Sequence, residues 1–127
     1  MDQHSQLSRR ERQIMDIIYT RQAASATHVL SGMLDPPSRA SVRTMLRILE
    51  GKGHLRHHKN GREFIYQPTR PRQRAGQSAL RRVLSTFFDN SLEQAVAAHL
   101  SDSAADLSTD QLNRLADLVR KAGNKGK

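Results

Sequence analysis

Arg39, Arg43 and Arg47 recur at i, i+4 and i+8, so on a helix they stack into one cationic ridge. Val42, Met45, Leu46 and Leu49 interleave with them at the i, i+3, i+4, i+7 spacing of an apolar stripe. A guanidinium is a rigid fork of donors that matches a phosphate or the O6/N7 edge of guanine. Between the arginines sit Ala40, Ser41 and Thr44, small enough to let a helix approach base edges. Immediately downstream, Arg56, His57, His58, Lys59 and Arg62 add a second block of positive groups, for which phosphate contact is the default use. The chemistry on offer is recognition of a polyanion, most simply duplex DNA.

These groups need positioning. Ser38 is placed to cap a third helix, which Gly51 and Gly53 end. The second block falls on a hairpin. Leu55–His58 and Glu63–Tyr66 flank Lys59-Asn60-Gly61-Arg62, and Asn-Gly is favoured in type I′ turns, where both central residues need positive φ. Phe64 and Tyr66 are expected on one face, as are Leu55 and His57 on their strand. Upstream, Ser8-x-x-Glu11 has the spacing of a capping box, and Ile14, Met15, Ile17 and Ile18 form an inward stripe, which predicts a first helix over about residues 9–22. Ser25 or Thr27 starts a second, with Val29, Leu30, Met33 and Leu34 expected to face inward and Asp35-Pro36-Pro37 to stop it. Three helices followed by a hairpin is the order of a winged helix-turn-helix, and the fold class is mainly α.

Charge supports this placement. Residues 1–72 hold 13 Lys and Arg against 6 Asp and Glu, net +7, whereas residues 73–127 hold 8 against 6, net +2. A basic N-terminal half is the electrostatic footprint of a polyanion binder. The chain has no cysteine, which excludes disulfides, thiolate metal sites and thiol chemistry. Neighbouring His57 and His58 point to opposite faces of a strand, so one ion cannot easily take both, and no metal or other cofactor is expected. The start MDQHSQLSRRERQ lacks an apolar core, and no apolar run reaches membrane-spanning length. A cytoplasmic protein without membrane insertion is expected.

After Pro68 and Pro71 the character changes, which predicts a DNA-binding domain over 1–70 and a helical region over 71–127. Three helical stretches are expected between residues 73 and 123. The first carries Leu80, Val83, Leu84, Phe87 and Phe88 on one side. Asn90 with Glu93 opens the second, with Leu92, Ala95, Val96 and Leu100. Ser108 with Gln111 opens the third, ahead of Leu112, Leu115, Leu118 and Val119. Helices this short cannot readily bury such faces alone. A symmetric dimer through Leu80, Leu84, Phe87, Phe88, Leu92, Val96, Leu112, Leu115 and Val119 is the expected remedy, and folding back on the winged domain is the alternative.

LSRRERQIMDIIY and RTMLRILEGKGHLRHHKNGREFIYQP together resemble the penicillinase-repressor family of bacterial regulators, which includes the β-lactam-responsive and copper-responsive repressors. The matching features are Leu7 to Met15, the Thr44 to Gly53 run and the Gly61 to Pro68 wing, and the similarity continues through FFDNSLEQAVAAHL and LSTDQLNRL. The resemblance implies a dimeric winged-helix repressor acting on a double-stranded DNA operator, with the C-terminal helices forming the dimer. By position it implies base-proximal roles for Ala40, Ser41, Arg43 and Thr44. Phosphate contacts would come from Arg39, Arg47 and the wing residues Arg56, His57, His58, Lys59 and Arg62. A two-fold dimer implies a pseudo-palindromic operator. Two features of the family are absent. β-Lactam-responsive members are cleaved at an Asn-Phe bond; this chain has no such pair, the corresponding stretch falling near Ala95-Val96. Copper-sensing relatives carry a cysteine cluster, and here there is no cysteine. The inducing signal is therefore left open.

Two rival classes are weighed against this reading. An enzyme would need a phosphate loop, a nucleophile elbow, an HExxH run or a cysteine nucleophile, and the sequence has none. A winged helix that binds RNA would be expected to present more stacking aromatics. A protein-interaction module without specific DNA binding would have little use for the arginine ridge, and it stands as the alternative.

Overall fold

Residues 7–102 and 106–125 are described by a computed structural model. The elements run α1 (Arg9–Arg21), α2 (Ala26–Gly32), α3 (Arg39–Gly51), β1 (Leu55–Asn60), β2 (Glu63–Pro68), α4 (Arg72–Phe87), α5 (Leu92–Ser101) and α6 (Thr109–Lys125). This is the mainly helical, winged helix-turn-helix layout. Packing divides the chain into two units, Met1–Ala79 and Leu80–Lys127, and the division falls inside α4. Arg70 donates to the Ser78 hydroxyl at 2.8 Å, which ties the first turns of α4 to the end of the hairpin.

In the first unit, α1 starts with the Ser8/Glu11 box: Glu11 N–H donates to the Ser8 hydroxyl at 3.1 Å and Ser8 N–H to the carboxylate at 2.9 Å. Ser25 rather than Thr27 caps α2, in a box whose returning partner is the His28 ring. Ser38 caps α3 through Ser41 N–H. Ile14, Ile18, Val29, Val42, Leu46 and Leu49 are fully buried, with Leu55 and Tyr66 closing the core from the hairpin. The end of α3 is a Schellman turn: His54 N–H reaches the Leu49 carbonyl and Gly53 N–H that of Glu50, with Gly53 at φ +89°. That turn reverses the chain into β1 and so aims the wing.

Four local expectations need correction. The second helix stops at Gly32, before the prolines, so Leu34 lies outside it and is 88% exposed instead of facing inward. Asp35 then takes a left-handed φ of 53°, its carbonyl held by Arg10 at 2.7 Å. The hairpin strands run two residues further at β1 than expected, pairing Asn60 with Glu63. The tight turn is therefore Gly61-Arg62, and within it Gly61 alone has positive φ, the pattern of a type II′ turn and not of I′. Finally, Ser91 caps α5, not Asn90, which with Asp89 occupies the left-handed region after α4.

The second unit contains the end of α4, then α5 and α6. Ser108 and Gln111 form the expected reciprocal cap of α6, at 2.8 and 3.1 Å. Every buried apolar residue among those described belongs to the first unit, whereas nine of the twelve exposed large hydrophobics lie in the second. No described residue of α4 or α5 is buried.

Candidate nucleic-acid interface

The burial of Val42, Leu46 and Leu49 fixes the rotation of α3 about its axis, and that rotation turns Arg39, Arg43 and Arg47 outward to solvent. These arginines, the start of α2 and the hairpin line one concave surface of about 420 Å³. Its walls are Ser25, Ala26, Thr27, Arg39, Arg43, Arg47, Lys59, Arg62, Glu63, Phe64 and Tyr66. Five of these side chains are cationic and one is a carboxylate, so the groove is a focused positive field against a partly aromatic floor.

Local bonds set what each group can offer. Arg39 donates to the Thr27 hydroxyl at 3.1 Å, which fastens the beginning of α3 to that of α2. The Thr44 hydroxyl donates to the Ala40 carbonyl at 3.0 Å, and the Ser38 hydroxyl donates to that of Ser41 at 3.0 Å. Thr44 therefore presents an acceptor oxygen while that bond lasts. Ala40, Ser41, Arg43 and Thr44 are all exposed in the first half of α3.

The hairpin separates the remaining candidates by strand parity. Leu55, His57 and Lys59 pair with Pro68, Tyr66 and Phe64 on one face; Arg56, His58 and Asn60 occupy the other. The face expectation for Phe64 and Tyr66 thus holds. His57 is engaged: its Nδ1 donates to Glu50 Oε1 at 2.5 Å, and its ring lies 4.5 Å from Phe64 and 5.5 Å from Tyr66 between centroids. The hairpin itself is anchored by Ala24, which exchanges two backbone hydrogen bonds with Tyr66 at 2.8 and 3.0 Å. Burial, with Glu50 second, raises the Tyr66 phenol above its ordinary value, against a smaller lowering from Arg47 and Arg43.

Outside the groove lining, Glu11 is buried and accepts from Lys52 at 3.1 and 3.4 Å, joining the start of α1 to the end of α3. Burial alone would raise the Glu11 carboxyl, but the Ser8 N–H, Lys52 and the Ser8 hydroxyl outweigh it and hold it below its ordinary value. His54 beside it is lowered, chiefly by burial and then by Lys52. Among the described residues no group of His, Asp or Glu is arranged to hold a metal ion. No helix among them is long and apolar enough to cross a membrane.

Sequence reasoning missed the contribution of α2. Ser25, Ala26 and Thr27 line the groove, and the signal was available in Ser25-x-x-His28, whose cap fixes where that helix begins. It also missed the contact of Glu50 with His57, which no helical periodicity singles out.

The fold and groove define a winged helix-turn-helix protein. The penicillinase repressor family model matches residues 7–121, and the chain belongs to that family. It is 27% identical over 124 residues to the penicillinase repressor of Bacillus licheniformis, covering 96% of this chain and 95% of that protein. The solution structure of monomeric BlaI from Bacillus licheniformis, in complex with the blaP half-operator, is 34% identical over 50% of this chain and 79% of its own, with a TM-score of 0.43. The regulator BpsR of Bordetella bronchiseptica, solved in connection with regulation of its DNA binding by 6-hydroxynicotinic acid, is 16% identical and covers 96% of this chain and 78% of its own, with a TM-score of 0.50. That last likeness is one of fold.

Proposed function

We propose that this chain is a sequence-specific, DNA-binding transcriptional repressor that works as a homodimer on a pseudo-palindromic operator. The observation that carries the reading is the groove in which α3 arginines and wing cations converge. In this reading α3 enters the major groove, with Ala40, Ser41, Arg43 and Thr44 next to base edges. Arg39, Arg47, Arg56, His58, Lys59 and Arg62 hold phosphates, and His57 contributes from the wing's inner face. The DNA-binding domain spans residues 1–70 and the dimerising region 71–127.

Family membership supports the repressor role. The dimer is supported by the exposed apolar side chains of the second unit, Phe87 at 73% and Leu92 at 59% among them. Each large side chain of this kind contributes roughly 1.5–3 kcal/mol when covered. Leu80, Leu112, Leu115 and Val119 are exposed as well, and Leu84, Phe88 and Val96 half-buried.

A salt titration on a duplex tests the reading. Log affinity should fall linearly with log salt, with a slope of roughly −0.9 for each phosphate neutralised. A shallow or absent slope would instead favour a winged helix that binds protein.

A further inference from the structure

We propose that Glu50 and His57 form a latch that fixes the angle between α3 and the wing, which makes both of them positioning residues for DNA reading. The proposal rests on the DNA-binding function argued above.

Glu50 stands three residues beyond Arg47 and seven beyond Arg43, on the flank of the cationic ridge. A carboxylate there repels the phosphates that the ridge attracts, so its presence calls for a compensating use. Its partner supplies one: Glu50 Oε1 accepts from His57 Nδ1 at 2.5 Å, and both side chains are only about one-third exposed at 34%. His57 is in turn wedged against the rings of Phe64 and Tyr66. Tyr66 is fastened through its backbone to Ala24. The last turn of α3, both strands and the loop before α2 are thereby joined through one imidazole.

The latch sits near the root of the hairpin, where leverage is largest. Gly61 lies four residues beyond His57, a reach of about 13 Å at roughly 3.3 Å per residue. A tilt of about 15° at the root would move that tip by about 3 Å, enough to carry the adjoining Arg62 off a phosphate. With the latch closed, helix and wing engage one duplex together; with it open, each engages without the other.

The experiment compares Glu50→Gln and His57→Phe with the wild-type chain on two probes. One is a duplex selected by the wild-type chain from a genomic pool, the other a random-sequence duplex of equal length. His57→Phe keeps a ring against Phe64 and Tyr66; Glu50→Gln keeps the shape of the acid. Thermal midpoints serve as the folding control. The latch predicts about a tenfold loss on the selected duplex for either variant, and for Glu50→Gln no loss on the random one. Charge alone predicts the opposite for Glu50→Gln, because removing a negative group next to DNA tightens binding to both probes. Tighter or unchanged binding of Glu50→Gln to the selected duplex would overturn the latch and leave the DNA reading intact. A wild-type chain with no preference between pool and random duplex would overturn the DNA reading, and the latch with it.

Discussion

At the scale of single residues, Arg43 carries the strongest expectation. It is exposed in the first half of α3 and lines the groove, so Arg43→Ala should cost roughly 1–3 kcal/mol on the specific site and little on random DNA. Equal losses on both, measured by fluorescence anisotropy, would make Arg43 a phosphate contact only. A second expectation concerns acid. Glu11 has its carboxyl lowered from 4.5 when folded, so it contributes stability above that value which is lost as pH falls through the lower folded one. His54 is lowered from 6.5, so the unfolded chain takes up its proton first and stability drops as pH falls below that value. Both act in the same direction. Urea midpoints should therefore decline in two stages on acidification, the first below about pH 6.5 and the second below about pH 4.5, and Glu11→Gln should remove the second. A flat profile between about pH 7 and 5 would contradict the His54 assignment, and one with no further decline below about pH 4.5 the Glu11 assignment. The arginine ridge was legible in the sequence, since i, i+4 spacing alone stacks side chains. The Glu50–His57 contact was not, because it depends on how a helix end and a strand meet in space.

Among the elements, the helix starts were legible because caps are local. Ser8, Ser38 and Ser108 each accept the N–H three residues on, and each stands where the sequence reading set a helix start, Ser8 and Ser108 by capping-box spacing. Leu34 was misread because an apolar period continues in the sequence past the point where the backbone leaves the helix at Met33. The turn was misplaced by one residue for a related reason. Asn-Gly favours one loop, but the observed register sets His57 opposite Tyr66 and Lys59 opposite Phe64. Moving the loop one position shifts the pairing by two, which keeps Leu55 and His57 on the face of Phe64 and Tyr66 despite the wrong turn. The end of α3 yields a prediction at this scale. Gly53 has φ +89° with nothing within 4 Å of an added Cβ, so a substitution there is strained by conformation and not by crowding. Gly53→Ala should cost about 1–2 kcal/mol in chemical denaturation. Gly51→Ala, at a helical position equally open, should be neutral or slightly stabilising. Equal effects at the two glycines would contradict the Schellman assignment.

For the whole molecule, charge and apolar surface are divided between the two units. The first holds the buried core and the cationic groove; the second holds most of the exposed apolar side chains. Phe87→Asp, at a residue 73% exposed, should leave helix content unchanged and turn a dimer into a monomer at micromolar concentration in sedimentation. A variant that still sediments as a dimer would remove Phe87 from the interface. The second unit's helices were legible from periodicity, but what covers them was not, since a face that packs on a second copy reads like one that packs on its own chain. The central claim, a two-fold protein reading a two-fold site, is tested most directly by selecting genomic fragments with the purified chain at moderate salt and sequencing them. A two-fold dimer should enrich a shared inverted repeat whose half-sites lie about one helical turn, or a multiple of it, apart. Enrichment without a common motif, or of a single half-site with no symmetry, would contradict it.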